Sequence, residues 1–270
     1  MEQKVFERLR QVIYKESGIS LSSEKKQLLQ NRIQKRIRAL KFQNERQYLD
    51  LIELHDVDGS ELVHLIDAIS TNLTFFFRER PHFDLFEKLL KQWDQEKRGE
   101  IKCWCAAASS GEEPYSIAIT AAECLHPNRA SLKLLASDIC TTVLNKALHG
   151  VYEPQQLKDV PNEIKQKYFD RIQIENQTNF RVKSQLSKSI LFKKLNLSRF
   201  PYPLKGPFDL IFCRNVMIYF DNGLRTQLVE NFTKLLKPGG YLFVGHAESL
   251  SNIEHQLESV QTAVYRRRLK

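Results

Sequence analysis

The sequence predicts an α/β architecture in which an all-α N-terminal part precedes a mostly parallel, doubly covered sheet carrying a small antiparallel insertion. Three observations predict it. From Val5 to about Gln92 the apolar residues recur at helical spacing, as in Val5, Leu9, Val12 and Ile13, then Leu28, Leu29, Ile33, Ile37 and Leu40. Beyond Glu100, short apolar runs alternate with helical stretches, the texture of strands joined by crossover helices. Between Tyr152 and Pro207 that rhythm breaks into polar stretches and alternating residues.

In order along the chain, Gly18 and Ser20–Ser23 separate the first helix from the second, with Ser22 or Ser23 suited to cap the new N-terminus and Glu24 to its first turn. A second break falls at Asp56–Gly59. Strands are expected at Ile101–Ala107, Leu132–Ser137, Phe208–Cys213 and Tyr241–Gly245, and helices at Pro114–Cys124, Thr141–Leu148 and Leu224–Leu236. Pro238-Gly239-Gly240 reads as a tight turn into the last strand. Phe180 and Val182, followed by Ile190 and Phe192, suggest a hairpin turning near Ser187–Ser189.

With 270 residues the chain can form two domains, and 42% hydrophobic with 27% charged residues is ordinary for a globular protein. No apolar run approaches the ~18 residues of a membrane span, and Met1–Arg10 lacks the pattern of a secretory signal, so a cytoplasmic location without membrane insertion is expected. The five cysteines, at 103, 105, 124, 140 and 213, are odd in number and read as reduced, mostly buried thiols. Cys103-x-Cys105 lacks zinc-finger spacing, and no metal site is expected. A net charge of +9 favours an acidic partner.

Ile101 to Ala118 is the most informative stretch: a strand, a turn of small residues from Ala106 to Gly111, and a helix start with Pro114 in its first turn. In an open α/β sheet such a turn is where ligands bind. The dinucleotide pattern Gly-x-Gly-x-x-Gly is absent, and Glu112 and Glu113 place two carboxylates at the helix start. Carboxylates there compete with a phosphate but suit an ammonium, which favours S-adenosylmethionine over a dinucleotide; helix capping by one glutamate is the plainer reading. Asp138 ends the next strand, where a carboxylate can accept ribose hydroxyls or cap the helix starting at Thr141. Arg214 and Asn215 follow directly on the apolar strand Phe208–Cys213, and Tyr219 lies four residues on, near enough to share the site. In Asn72-Leu-Thr-Phe-Phe-Phe-Arg-Glu79 the three phenylalanines cannot share one helix face. That segment is either an interdomain hinge or a cover whose Asn72, Thr74 and Arg78 close the site.

These stretches, with Ala136-Ser-Asp138, Phe208 to Phe220 and Gly245-His-Ala-Glu-Ser249, resemble the chemotaxis receptor methyltransferase family, CheR, in order and over nearly the whole chain. The resemblance implies a helical receptor-recognition domain (1–80), a linker helix (81–99) and a class I methyltransferase domain (100–270) with an antiparallel insertion at about 170–195. It further implies that Asn72, Thr74, Arg78, Glu113, Asp138, Asn196, Leu197, Arg214 and Asn215 bind S-adenosylmethionine, with Arg78 and Tyr219 nearest the transferred methyl. The expected products are a glutamate methyl ester and S-adenosylhomocysteine, and no metal takes part. The familiar Gly-Cys-Ser turn is Ala107-Ala-Ser here, and Gly-His-Ser-Glu is Gly245-His-Ala-Glu.

Lys25 to Lys41 contains seven Lys or Arg residues and no acid. Arg32, Lys35 and Arg36 fall on or beside one helical face, which is either a solvated face or a landing surface for the acidic cytoplasmic helices of methyl-accepting chemotaxis receptors. Under that reading the enzyme acts as a monomer recruited to receptor arrays at the membrane, and its inserted hairpin is a possible dock for a receptor tail. A nucleic-acid methyltransferase and a non-catalytic S-adenosylmethionine sensor are the alternatives. The first lacks an aromatic platform among the basic residues, so no nucleic-acid partner is expected, and the second is disfavoured by Arg78 and Tyr219.

Overall fold

Helical periodicity translates directly into the N-terminal core. In the computed structural model, which describes residues 1–269, helices α1 (Gln3–Ser17), α2 (Lys26–Ala39), α3 (Glu45–Asp50, extended by a wider turn to His55) and α4 (Ser60–Ile69) pack together. Phe6, Leu9 and Ile13 of α1 meet Leu29, Ile33 and Ile37 of α2, Tyr48 of α3 and Leu65 of α4. Each such fully buried side chain stabilises the domain by roughly 1.5–3 kcal/mol. Gly18 ends α1 in a left-handed conformation, its φ of 74° closing the helix. Neither Ser22 nor Ser23 caps α2 with its side chain: Ser22 precedes a short 3₁₀ turn, Ser23–Lys25, without a side-chain bond. Side-chain capping is made instead by Asn44, which accepts from the Arg46 and Gln47 amides at 3.1 Å.

Helix α5 (Arg80–Gln95) leaves this bundle and lays Phe83, Phe86, Leu90 and Trp93 on the sheet. The chain then alternates β1 (Gly99–Cys105), α6 (Glu112–Cys124), β2 (Ala130–Asp138) and α7 (Thr141–His149). Next come β3 (Val151–Tyr152), α8 (Asn162–Tyr168), β4 (Phe169–Ile174), β5 (Gln177–Val182), the single turn α9 (Ser184–Ser187) and β6 (Ile190–Lys194). The chain closes with β7 (Phe208–Cys213), α10 (Asn222–Leu235), β8 (Leu236–Val244), β9 (Leu257–Gln261) and β10 (Val264–Arg267).

Seven strands form one sheet in the order β6-β2-β1-β7-β8-β10-β9, with β6 through β8 parallel and β10 and β9 antiparallel. The order reverses between β1 and β7, the place where open α/β sheets bind ligands. Strand period two divides the core: Ile101, Cys103 and Cys105 face α5 and α6, while Trp104 faces α10. All five cysteines are free, and four are buried.

The antiparallel insertion is present but differently wired. Phe180 and Val182 lie on β5, which pairs with β4 around a turn at Glu175–Asn176 and with β3, giving a three-stranded sheet within Val151–Val182 rather than 170–195. Ile190 and Phe192 lie on β6 and extend the main sheet beside β2. Alternation alone marks both runs as strands but carries no pairing information, hence the error. Likewise β8 starts at Leu236, so Pro238-Gly239-Gly240 is inside the strand, near a shift of register opposite Phe208 and Leu210. Bulges accommodate such residues.

In the helical domain Arg36 clamps the buried carboxylate of Glu61 through Nε at 2.8 Å and through Nη2, and Tyr48 Oη donates to the same carboxylate at 2.9 Å. Removing the guanidinium leaves a buried charge, so Arg36→Leu should cost roughly 2–4 kcal/mol in urea denaturation, and Arg36→Leu with Glu61→Leu should cost less. An unchanged midpoint in the single variant would contradict this account.

Candidate functional site

The small-residue turn after β1 and the ends of β2 and β7 meet at one edge of the sheet. They line a cavity closed on its outer side by the helical domain and by the segment leading from α4 to α5. Asn72, Thr74, Arg78, Glu113, Asp138, Asn196, Leu197, Arg214, Asn215 and Tyr219 all line it, so the ten residues singled out from the sequence for cofactor and catalysis lie together.

The turn is shaped by backbone need. Gly111 has φ 101°, and a Cβ there would lie 2.6 Å from Tyr152 Oη and 2.9 Å from Ala147 Cβ, so no side chain fits. Ala107 and Ala108 have no such positive φ, which is why alanine serves at Ala107. Glu112 and Glu113 then diverge. Glu112 turns to Ser110 Oγ at 2.6 Å and Gln156 Nε2 at 2.9 Å, whereas Glu113 faces the cavity and Arg214 Nη1 at 3.1 Å. Burial raises the Glu113 carboxyl above its usual range, opposed by Arg214. Asp138 accepts the Ser109 amide at 2.8 Å and the Cys140 amide at 2.9 Å, and burial raises its pKa against those two bonds. It thereby orients the turn after β1 and the entry to α7 while still lining the cavity.

Arg214 is buried at the end of β7. It reaches Glu113 on one side and Glu79 Oε2 at 3.3 Å on the other, and Nη2 donates to the Arg78 carbonyl at 2.5 Å. Its Nε and Nη1 lack hydrogen-bond partners among the described residues. Burial works against charge on Glu79, but Arg214, the Asn215 amide group and the His246 backbone hold its carboxyl below the ordinary value. Glu79 also meets His82 and His246, and their three ligand-type atoms lie within 4.8 Å of one another. The two histidine rings meet edge to face, with centroids 4.8 Å apart.

The three phenylalanines point apart, but in an irregular segment with a turn at Phe76–Phe77 rather than on a helix. Phe76 is buried edge-on against Tyr152 and Phe169, Phe77 packs on Phe83, and Phe75 stays exposed under the Arg78 guanidinium at 5.1 Å. Arg78 Nη1 donates to the Leu73 carbonyl at 2.9 Å. Across the cavity, Tyr219 touches the cores of both domains and accepts the Ser20 amide on its carbonyl at 2.8 Å. Asn196 Nδ2 donates to the Glu16 carbonyl at 2.7 Å, tying the chain after β6 to the end of α1.

The basic stripe is placed elsewhere, on α2. Arg32 donates to the Ile69 and Ser70 carbonyls at 2.6 and 3.0 Å and to Thr71 Oγ1 at 3.1 Å, so it caps α4 and holds two cavity-lining residues, while Arg36 holds Glu61. Lys35 alone of the three is exposed. Sequence reasoning missed Ser17 and Ile19, which line the cavity from the end of α1 without any local signal. It also missed Glu79 and Glu248, although both stand inside motifs it had singled out.

With this geometry established, comparison with known proteins decides the family. Residues 4–70 match the CheR methyltransferase all-alpha domain, and residues 72–266 match the CheR methyltransferase S-adenosylmethionine-binding domain. The chain belongs to the CheR methyltransferase family. A chemotaxis protein methyltransferase of Borreliella burgdorferi is 39% identical over 267 residues, covering 96% of this chain and 93% of the relative. One of Escherichia coli is 41% identical over 260 residues, covering 96% and 89%. The protein is a chemotaxis methyltransferase that uses S-adenosylmethionine, and no described helix is long and apolar enough to cross a membrane.

Geometry now separates the neighbouring glutamates. Glu113→Gln should weaken S-adenosylhomocysteine binding by about tenfold, because an ion pair at the cavity wall is lost, and Glu112→Gln should change it little. Calorimetry giving the reverse order would place the helix start in the wrong register. A second expectation concerns His82, wholly buried, whose pKa is lowered to about 4 by burial and then by Arg214. Between its unfolded value near 6.5 and about 4 the unfolded chain binds a proton that the folded chain excludes. Stability should therefore fall as pH falls through that window, by up to about 1.4 kcal/mol per pH unit. His82→Gln should flatten the melting temperature between pH 7 and pH 5 relative to wild type, whereas parallel declines would assign the loss to other groups.

Proposed function

We propose that the chain transfers a methyl group from S-adenosylmethionine to glutamate side chains in the cytoplasmic helices of chemotaxis receptors, leaving S-adenosylhomocysteine. The observation that carries this reading is the gathering of Glu113, Asp138, Arg214 and Asn215 with Arg78 and Tyr219 around one cavity at the reversal of strand order. The residues suit such a ligand. Glu113 offers a carboxylate for an ammonium and Asp138 one for ribose hydroxyls, while the buried Arg214 holds Glu113 in place. When bound, S-adenosylmethionine supplies a methyl group already activated by its sulfonium.

The protein has then to position the acceptor and exclude water. A glutamate acceptor is ionised at neutral pH, with a reference pKa near 4.3, so no general base is called for. Arg78, half-buried and anchored by the Leu73 carbonyl and the Phe75 ring, stands at the cavity wall where it can hold the acceptor carboxylate. A bond from Arg78 to the attacking oxygen would blunt its nucleophilicity, so Arg78 serves best on the other oxygen. Tyr219 closes the opposite wall. Holding acceptor and methyl at near-attack distance can supply effective molarities of about 10⁵–10⁸ M in favourable cases.

Purified protein, radiolabelled S-adenosylmethionine and receptor cytoplasmic fragments should give label released as methanol by mild alkali. Alkali-stable label, or label on nucleic acid alone, would refute the glutamate assignment. For receptor docking the α2 surface narrows to Lys35 and its exposed neighbours, since Arg32 and Arg36 are committed within the domain. Lys35→Glu should raise the Michaelis constant for the receptor fragment, flatten its salt dependence and leave cofactor affinity unchanged. Normal receptor kinetics at every salt concentration would move the docking surface away from this face.

A further inference from the structure

The Gly245-His-Ala-Glu248 motif lies outside the cavity lining, and nothing derived above uses its glutamate. Glu248 is nonetheless 1% exposed, and its carboxylate accepts three backbone amides: Gly245 at 2.6 Å, Asn215 at 2.6 Å and Ile218 at 3.2 Å. Those amides belong to the end of β8, to the residue following Arg214, and to the 3₁₀ turn Met217–Tyr219. Asn215 is held at φ 59°, a conformation that costs energy in a residue other than glycine and persists only where neighbours enforce it. Gly245 leaves no room for relaxation, because a Cβ there would lie 2.5 Å from Asn215 Nδ2 and 2.7 Å from Glu248 Oε2. The neighbouring Ala247 is exposed, so the position at which this chain departs from Gly-His-Ser-Glu faces away from the staple.

We infer that Glu248 is a positioning residue: its carboxylate staples the ends of β7 and β8 together and thereby fixes Asn215 and Tyr219 against the cavity. The inference rests on the methyl-transfer reading for its effect on rate, but not for its effect on ligand binding. A carboxylate is suited to the task because it accepts at both oxygens and donates nothing. Glutamine of the same shape would turn an N–H toward a backbone N–H and lose at least one of the three bonds.

The test compares wild type with Glu248→Gln, Gly245→Ala and the control Ala247→Ser. Calorimetric titration with S-adenosylhomocysteine gives affinity and the fraction of binding-competent molecules, and turnover is expressed per competent molecule. Glu248→Gln should weaken affinity by about tenfold and lower kcat per competent molecule by about tenfold or more, with Ala247→Ser unchanged. Gly245→Ala should reproduce both losses while retaining the carboxylate, which keeps the inference testable if Glu248→Gln fails to fold. A 3-fluorotyrosine label at Tyr219 should show a shifted or broadened ¹⁹F resonance in the product complex of either variant. If both variants melt earlier yet keep wild-type affinity, per-site kcat and ¹⁹F signal, Glu248 merely stabilises the fold and the inference is overturned. If wild type binds S-adenosylhomocysteine but methylates no receptor fragment, the functional reading fails, while affinity and ¹⁹F signal still decide the role of Glu248.

Discussion

Burying one guanidinium is the constraint around which the site is organised. The Arg214 side chain is wholly inaccessible, and a cation there would cost several kcal/mol without compensation. Compensation comes from two directions. Glu113 arrives on the first turn of α6, and Glu79, at φ 57°, arrives at the entry to α5. The Arg78 carbonyl accepts a further bond. A single residue at the end of β7 therefore fixes the turn after β1, the segment joining the two domains and the backbone that carries Arg78.

That arrangement makes the helical domain a wall of the cavity rather than a neighbour merely standing beside it. Ser17, Ile19 and Ser70–Thr74 line the cavity from the helical side. The domains are tied by Asn196 to the Glu16 carbonyl, Tyr14 to Asp221 at 2.5 Å, and Thr142 Oγ1 to Asp67 at 2.5 Å. Gly18 sits at the seam, where a Cβ would lie 2.5 Å from Leu224 Cδ2 and 2.8 Å from Ser198 Cβ.

Legibility in the sequence followed the range of the interactions. Helical period and strand alternation are local, so α1, α2, β1 and β7 were evident from residues alone, and β7 matched to the residue. Asp138, Arg214 and the turn after β1 were legible because strand ends in an open sheet share one edge. Strand pairing is non-local, and the hairpin drawn between Val182 and Ile190 was wrong for that reason. Charge partners are non-local too: a stripe of cations on α2 reads as a solvated face or a landing surface until the buried Glu61 and the open carbonyls of α4 come into view. Asn196 and Leu197 were reachable only through family resemblance, and Ser17 and Ile19 through neither route.

On the proposed reading, one cavity walled by both domains around Arg214 holds S-adenosylmethionine with its amino acid end at Glu113 and its ribose at Asp138. A crystal structure of the complex with S-adenosylhomocysteine tests this most directly. The account predicts the ribose hydroxyls within hydrogen-bond distance of Asp138 and the ligand ammonium beside Glu113, with Arg78 and Tyr219 flanking the sulfur. A ligand bound outside this cavity, or one whose ribose and ammonium lie away from both carboxylates, would contradict it.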